Sequence, residues 1–269
     1  DMAVVETSRP AAGVLLVEMN DPERYNALST QMIRELGDVF VALKDDREAR
    51  VVILAARGRG FCAGANMGGE SETPPRAEGR GPVGFIHEYQ QYLADLMLAI
   101  HEARPPVIAA VHGAAVGGGL AISLACDMRL ASPDAYFASH FIRVGLSSCD
   151  VGTSYWLPRV VGPTMAAELM LTGRRVPAEE AVRIGLLNRV VEKDGLLDAA
   201  LELATGITAN SEFGVIMTKL GLWANFDAPS LRAAMELENR TQVLGTFTGN
   251  MAEAGKAFRE KRDPDWAPM

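Results

Sequence analysis

Cysteine is scarce in this chain: Cys62, Cys126 and Cys149 are all there is among 269 residues. An odd, widely spaced set fits neither a disulfide framework nor a zinc cluster, so no metal site is expected and a reducing compartment is the natural setting. Positive charge is also in deficit, with 26 Lys and Arg against 34 Asp and Glu. Without an overall positive field a nucleic-acid partner is excluded, and an anionic ligand must find a local basic spot. No apolar run approaches the roughly 20 residues needed to cross a bilayer. The opening Asp1-Met2-Ala3 lacks a secretory-signal pattern, so the expectation is a cytoplasmic protein with no membrane partner. Hydrophobic residues make up 48% of the chain, enough for one large core with an appendage.

Against that background one stretch stands out. Pro106-Val107-Ile108-Ala109-Ala110-Val111 is a short apolar run bounded by prolines and Gly113, and it predicts a strand covered on both faces. Gly117-Gly118-Gly119 follows and opens an apolar helix. Glycines at such a junction permit backbone conformations closed to other residues and let another group approach the main chain. The first amides of that helix lack intrahelical acceptors and lie at its positive end, which suits an oxygen that becomes negative. A dinucleotide fingerprint is excluded, because the position needed for its last glycine is Ile122. Close helix-strand packing is the plainer use of the same glycines.

Elsewhere the pattern reads strand, strand, helix. Val4 to Thr7 and Val14 to Glu18 predict a hairpin-like pair, and Ser29 a helix N-cap before the stripe Ile33, Leu36, Phe40 and Leu43. Arg50 to Ala55 predicts a strand running into the glycine-rich turn Arg57 to Asn66. From Gly68 to Gly84 the composition suits a mobile loop or lid containing Glu70 and Glu72, before an amphipathic helix marked by Tyr89, Leu93, Leu96, Met97 and Ile100. Short strands at 128–131 and 135–137 precede a polar loop at 144–154, and helices dominate beyond it. The amphipathic tail Ala254 to Arg262 is of a kind that docks on a partner. Two strand-to-glycine turns, around Ala65 and around Gly118, could each aim one N–H at a common point and form an oxyanion hole.

Phe61-Cys62-Ala63-Gly64-Ala65-Asn66, the strand ending His112-Gly113, and Gly117-Gly118-Gly119 closely resemble the crotonase superfamily, the enoyl-CoA hydratase/isomerase family. The resemblance runs nearly end to end, through Arg24-Tyr25-Asn26-Ala27-Leu28, Leu171-Thr172-Gly173, Gly185-Leu186 and Ala257 to Arg262. It implies an α/β fold, a spiral of ββα turns over residues 1–194 holding an acyl-CoA site. A helical C-terminal region, 195–269, would serve trimerisation and CoA covering, in a homotrimer or dimer of trimers. It further implies an acyl-CoA or enoyl-CoA thioester as ligand and no separate cofactor, CoA entering with the substrate. Carried over by position, Ala65 and Gly118 would donate to the thioester oxygen. Arg24, Ala63 and Asn66 would lie along CoA, and Phe258 and Lys261 would reach a neighbouring subunit's CoA.

By the same resemblance, the positions of the two hydratase glutamates fall on Ala121 and Phe141. Neither can activate water or protonate carbon, so the resemblance favours double-bond isomerisation over hydration. Asp150, in Cys149-Asp150-Val151-Gly152-Thr153, resembles the proton-shuttling aspartate of dienoyl-CoA isomerases. It is expected to move a proton, to cap the helix starting near Gly152, or both. Ala121, His140 and Phe141 are expected at the acyl pocket. His112 reads as structural, His87 and His101 as solvated, and Cys149 as a small packing residue. A non-catalytic acyl-CoA-binding protein and a thioester hydrolase remain open alternatives.

Overall fold

The computed structural model describes residues 3–65 and 73–269; Asn66, Glu70 and Glu72 lie outside the described residues. Its centre is β3 (Val51–Ala56) and β4 (Val107–Val111). Side chains alternate across a strand, so Val52 and Leu54, with Val107, Ala109 and Val111, face one core. Val51, Ile53, Ala55, Ile108 and Ala110 face another. Both faces are dry, which is why these strands read as unbroken apolar runs.

The hairpin of β1 (Val5–Ala11) and β2 (Val14–Met19), with β6 (Met128–Ala131) and β9 (Arg189–Val190), completes a sheet in the order β1-β2-β3-β4-β6-β9. Only the β1-β2 pair is antiparallel. A small second sheet, β5-β7-β8, joins Ala114–Val116, Tyr136–Ala138 and Val176–Pro177. Single parallel bridges extend that layer backwards, Cys62 with Ala115 and Leu28 with Ala65. Each turn of chain thus lays one segment in the large sheet and the next in the small layer before a helix returns it. That winding stacks the Ala65 turn beside the Gly118 turn.

The helices follow their caps. In α1 (Thr30–Ala42) Ser29 Oγ accepts the Met32 N–H at 3.1 Å, and Ile33, Leu36 and Phe40 are buried, as is Leu43 just beyond. The second helix, α2 (Pro82–His101), starts two turns before the predicted stripe, because Pro82 can occupy the first turn without losing a needed N–H. The segment expected to be a loop to Gly84 therefore ends in helix. After α3 (Gly118–Ala125) come α4 (Thr153–Val161), α5 (Pro163–Thr172), α6 (Ala178–Arg183) and α7 (Leu196–Thr208). Leu196, Ala200 and Ala204 of α7 cover the second face of the large sheet.

Three helices remain: α8 (Glu212–Phe226), α9 (Leu231–Thr246) and α10 (Asn250–Glu260). Lys219 of α8, 7% exposed, meets Asp127 Oδ2 at 2.8 Å and donates to the Pro105 carbonyl at 3.1 Å. Trp223 Nε1 donates to the other Asp127 oxygen at 2.9 Å, so α8 is pinned to the sheet. By contrast α9 buries no residue, and Leu231, Phe247, Met251 and Phe258 stand exposed. Among the described residues no helix is long and apolar enough to cross a membrane.

Candidate active site

The Ala65 turn is built by the segment before α1. Tyr25 and Asn26 both take left-handed backbone angles, and buried Asn26 donates to the Arg57 and Gly60 carbonyls at 2.9 Å each. Tyr25 O accepts the Ala63 N–H at 3.1 Å, and Gly64 O accepts the Leu28 N–H at 2.8 Å. The peptide joining Gly64 to Ala65 is trans. With its carbonyl turned to Leu28, a planar trans unit must turn the Ala65 N–H to the opposite side. Ala65 itself is exposed.

The same reasoning orients Gly118. Gly117, at φ 55°, makes the turn, and its carbonyl accepts the Ala121 N–H at 3.0 Å. Across that planar peptide the Gly118 N–H points out of the N-terminus of α3. A Cβ on Gly118 would lie 2.6 Å from Leu28 Cδ1 and 3.6 Å from Gly64 Cα, and one on Gly119 would collide with the Cys62 carbonyl. The glycines therefore serve close packing and let the first amide of α3 point out of its N-terminus at once. At the other end of α3, buried Arg129 donates from Nη1 to the Ser123 and Cys126 carbonyls at 3.0 and 2.8 Å. A cation there complements the negative end of the helix.

The pocket-side residues divide. The Phe141 ring reaches within 3.7 Å of where a Gly117 Cβ would be, so it borders the turn. Ala121 is fully buried in the core. His140 opens a short 3-10 turn, His140–Val144, and burial, Arg175 and Arg143 together hold its pKa below the ordinary value. Arg24 and Ala63 are exposed beside Tyr25, over whose ring Arg59 lies at 4.5 Å. Phe258 and Lys261 are exposed at the end of α10.

Asp150 is half-buried, and burial raises its carboxyl above the usual aspartate value. Its Oδ1 accepts the Val151 N–H at 2.9 Å and the side-chain amide of Gln90. The capping expectation is corrected here: Gly152 is the N-cap of α4, with no side-chain cap, and it is the Asp150 main-chain carbonyl that accepts the Thr153 N–H at 2.8 Å. The carboxylate is thus not consumed by the helix. Gln90 gave no signal in the sequence, being one polar residue on an amphipathic helix. Its neighbour Tyr89 directs its hydroxyl to the Leu28 carbonyl at 3.5 Å, so α2 touches both the Ala65 side and the Asp150 side.

Two further expectations fail. His101 is not solvated: it sits between Trp156 and Trp223, ring centroids 5.2 and 4.6 Å away, and burial lowers its pKa. Cys149 is not a packing residue but an exposed free thiol, because the loop before α4 turns it outward while Ser148 is buried instead. His112 is structural as expected, its Nε2 lying 3.0 Å from the Gly58 carbonyl.

Comparison with known proteins follows the same lines. Residues 9–268 match the family described as Enoyl-CoA hydratase/isomerase. A probable enoyl-CoA hydratase of Mycobacterium leprae is 39% identical over 263 residues, 97% of this chain and 88% of that one. The mitochondrial Delta(3,5)-Delta(2,4)-dienoyl-CoA isomerase of Rattus norvegicus is 34% identical over 255 residues, 93% of this chain and 77% of that one. The crystal structure of a probable enoyl-CoA hydratase/isomerase from Mycobacterium abscessus superposes with a TM-score of 0.92 at 37% identity, covering 98% of each chain.

Proposed function

The chain belongs to the enoyl-CoA hydratase/isomerase family, and from that premise we propose that it shifts a double bond in an enoyl-CoA thioester. In this reading the thioester oxygen accepts the N–H groups of Ala65 and Gly118. Removal of a proton from C2 of a 3-enoyl-CoA by Asp150 leaves a dienolate, whose charge gathers on that oxygen, and the protonated Asp150 returns the proton at C4. The 2-enoyl product forms with no net gain or loss of atoms. One acid/base group is enough for such a transfer, whereas hydration needs a base for water and an acid for carbon. The observation that carries the reading is a half-buried carboxylate of raised pKa, uncommitted to a helix cap. A poised pKa nearer neutrality suits a group that must both take and give a proton.

CoA itself would run past Arg24, Ala63 and Asn66, with Phe258 and Lys261 supplied to it by a neighbouring copy. The exposed apolar residues of α9 and α10 support assembly with further copies, and three copies or a multiple of three is the number that the family resemblance implies. Sedimentation of the purified chain tests that part.

The activity test is turnover of a 3-enoyl-CoA, followed by absorbance of the conjugated product, for wild type and Asp150→Asn. Loss of turnover by about a hundredfold or more is expected for the variant, at the scale typical of a lost acid/base group. Equal rates would remove Asp150 from the mechanism. Tight thioester binding with no reaction across enoyl, dienoyl and 3-hydroxyacyl substrates would instead favour a binding protein, and release of free CoA a hydrolase.

A further inference from the structure

We propose that Gln90 is the positioning residue of Asp150, holding one carboxylate oxygen so that the other is left to carry the proton. The inference rests on the reading of Asp150 as the base. Both donors that reach this carboxylate, the Val151 N–H and the Gln90 side-chain amide, go to Oδ1. Among the described residues nothing donates to Oδ2. The two oxygens are therefore different: one is solvated by the protein and the other keeps its lone pairs for a substrate proton.

The backbone on each side is already fixed. Val151 sits buried with a left-handed φ of 39°, and Gly152, at φ 83°, lies directly against the Trp156 ring. What remains is rotation of the Asp150 side chain; the Val151 N–H holds Oδ1 from within the loop, and a second donor from outside can set it more firmly. Gln90 is well placed to do so, because Leu93, Leu96, Met97 and Ile100 anchor its helix in the core. One residue earlier, Tyr89 faces the Leu28 carbonyl, and Leu28 bridges Ala65. A single turn of α2 thus relates the carboxylate to one of the two amides that would hold the substrate oxygen, and such geometry governs how well a bound proton donor or acceptor is used.

The bond also has an electrical consequence. A hydrogen bond to the charged form favours that form, so Gln90 and Val151 oppose the rise that burial imposes. Titratable groups on the flanking elements are His87, Glu88, Tyr89, Tyr92, Asp95 and His101 on α2, His140 and Arg143 on the 3-10 turn, Cys149 in the loop, and Tyr155 and Arg159 on α4. None is among the causes of the Asp150 shift. Removing the Gln90 donor must then raise the Asp150 pKa. Because a base works deprotonated, the acid limb of kcat/KM must move to higher pH.

The experiment compares wild type, Gln90→Met, which keeps length without a donor, and Gln90→Glu, which adds a negative charge. Two readouts are taken: the pH profile of 3-enoyl-CoA turnover, and the Asp150 titration by carboxyl NMR in the substrate-free protein. The expected result is an upward shift of about one pH unit in both readouts for Gln90→Met and a larger one for Gln90→Glu. Above the limb, kcat should fall about tenfold while KM changes little, the signature of lost orientation. An unmoved titration and acid limb in both variants would overturn the assignment, as would a KM that rises as much as kcat falls. Asp150→Asn separates the layers: full activity in that variant sinks the base itself. An inactive Asp150→Asn beside an unaffected Gln90→Met sinks only the positioning role.

Discussion

The carbonyl oxygen of Gly64 accepts the Leu28 N–H at 2.8 Å, and this bond decides where the next amide in the chain points. Gly64 holds a φ of 93°, and a Cβ there would stand 2.7 Å from the Val116 carbonyl oxygen and 3.3 Å from Gly118 N. The two turns that carry the candidate amides are packed so closely that a single methyl group cannot enter between them.

Gly64→Ala should therefore fold with a loss of about 1–3 kcal/mol from left-handed strain and crowding. Turnover should fall further than stability does, by about a hundredfold, the typical effect of displacing one oxyanion donor. Denaturant unfolding and steady-state rates on the same preparation check both.

Asp150→Asn should be as stable as wild type or more so near neutral pH. Burial raises the native carboxyl pKa above its unfolded value, so the stability this group contributes is fully present below the unfolded pKa. It is lost as pH rises through the raised native one. Asparagine can keep the bond from Val151 without ionising. Thermal unfolding at about pH 8 and about pH 5 should show the variant's advantage shrinking as the pH falls.

Lys219→Met should cost about 2–4 kcal/mol, toward the low end for a broken buried pair, because it leaves the part-buried Asp127 carboxylate without its cation. Val107 N and Trp223 Nε1 still donate to that carboxylate, but neither carries charge. Urea unfolding followed by tryptophan fluorescence reads the loss directly, since Trp223 sits at the joint.

One thiol should react in the folded protein. Cys149 is exposed, whereas burial pushes the Cys62 and Cys126 thiols up to about 12. A thiolate-specific reagent should label Cys149 alone under native conditions and the other two only after unfolding, with mass spectrometry assigning the sites.

Much of the architecture was legible in the residues. The unbroken apolar runs at 51–55 and 107–111 announce strands with two covered faces, and Ser29 announces its helix. Gly117 to Gly119 announce a tight junction. These signals are local, because each depends on side-chain periodicity or on a backbone angle that few residues tolerate. His101 and Cys149 depart from what their neighbours in sequence suggest for the opposite reason. Whether a lone polar residue meets water or an aromatic ring depends on what packs over it from elsewhere.

The sequence by itself determined the strand-turn-helix units and the family. Only the tertiary structure decided that α7 closes the large sheet, that the Asp150 carboxylate is not a helix cap, and that Gln90 reaches it from sixty residues away. The physical reason is range. Periodicity and torsional preference act over a few neighbouring residues, whereas burial, and the hydrogen bonds that survive it, belong to whichever segments the winding of the chain brings together.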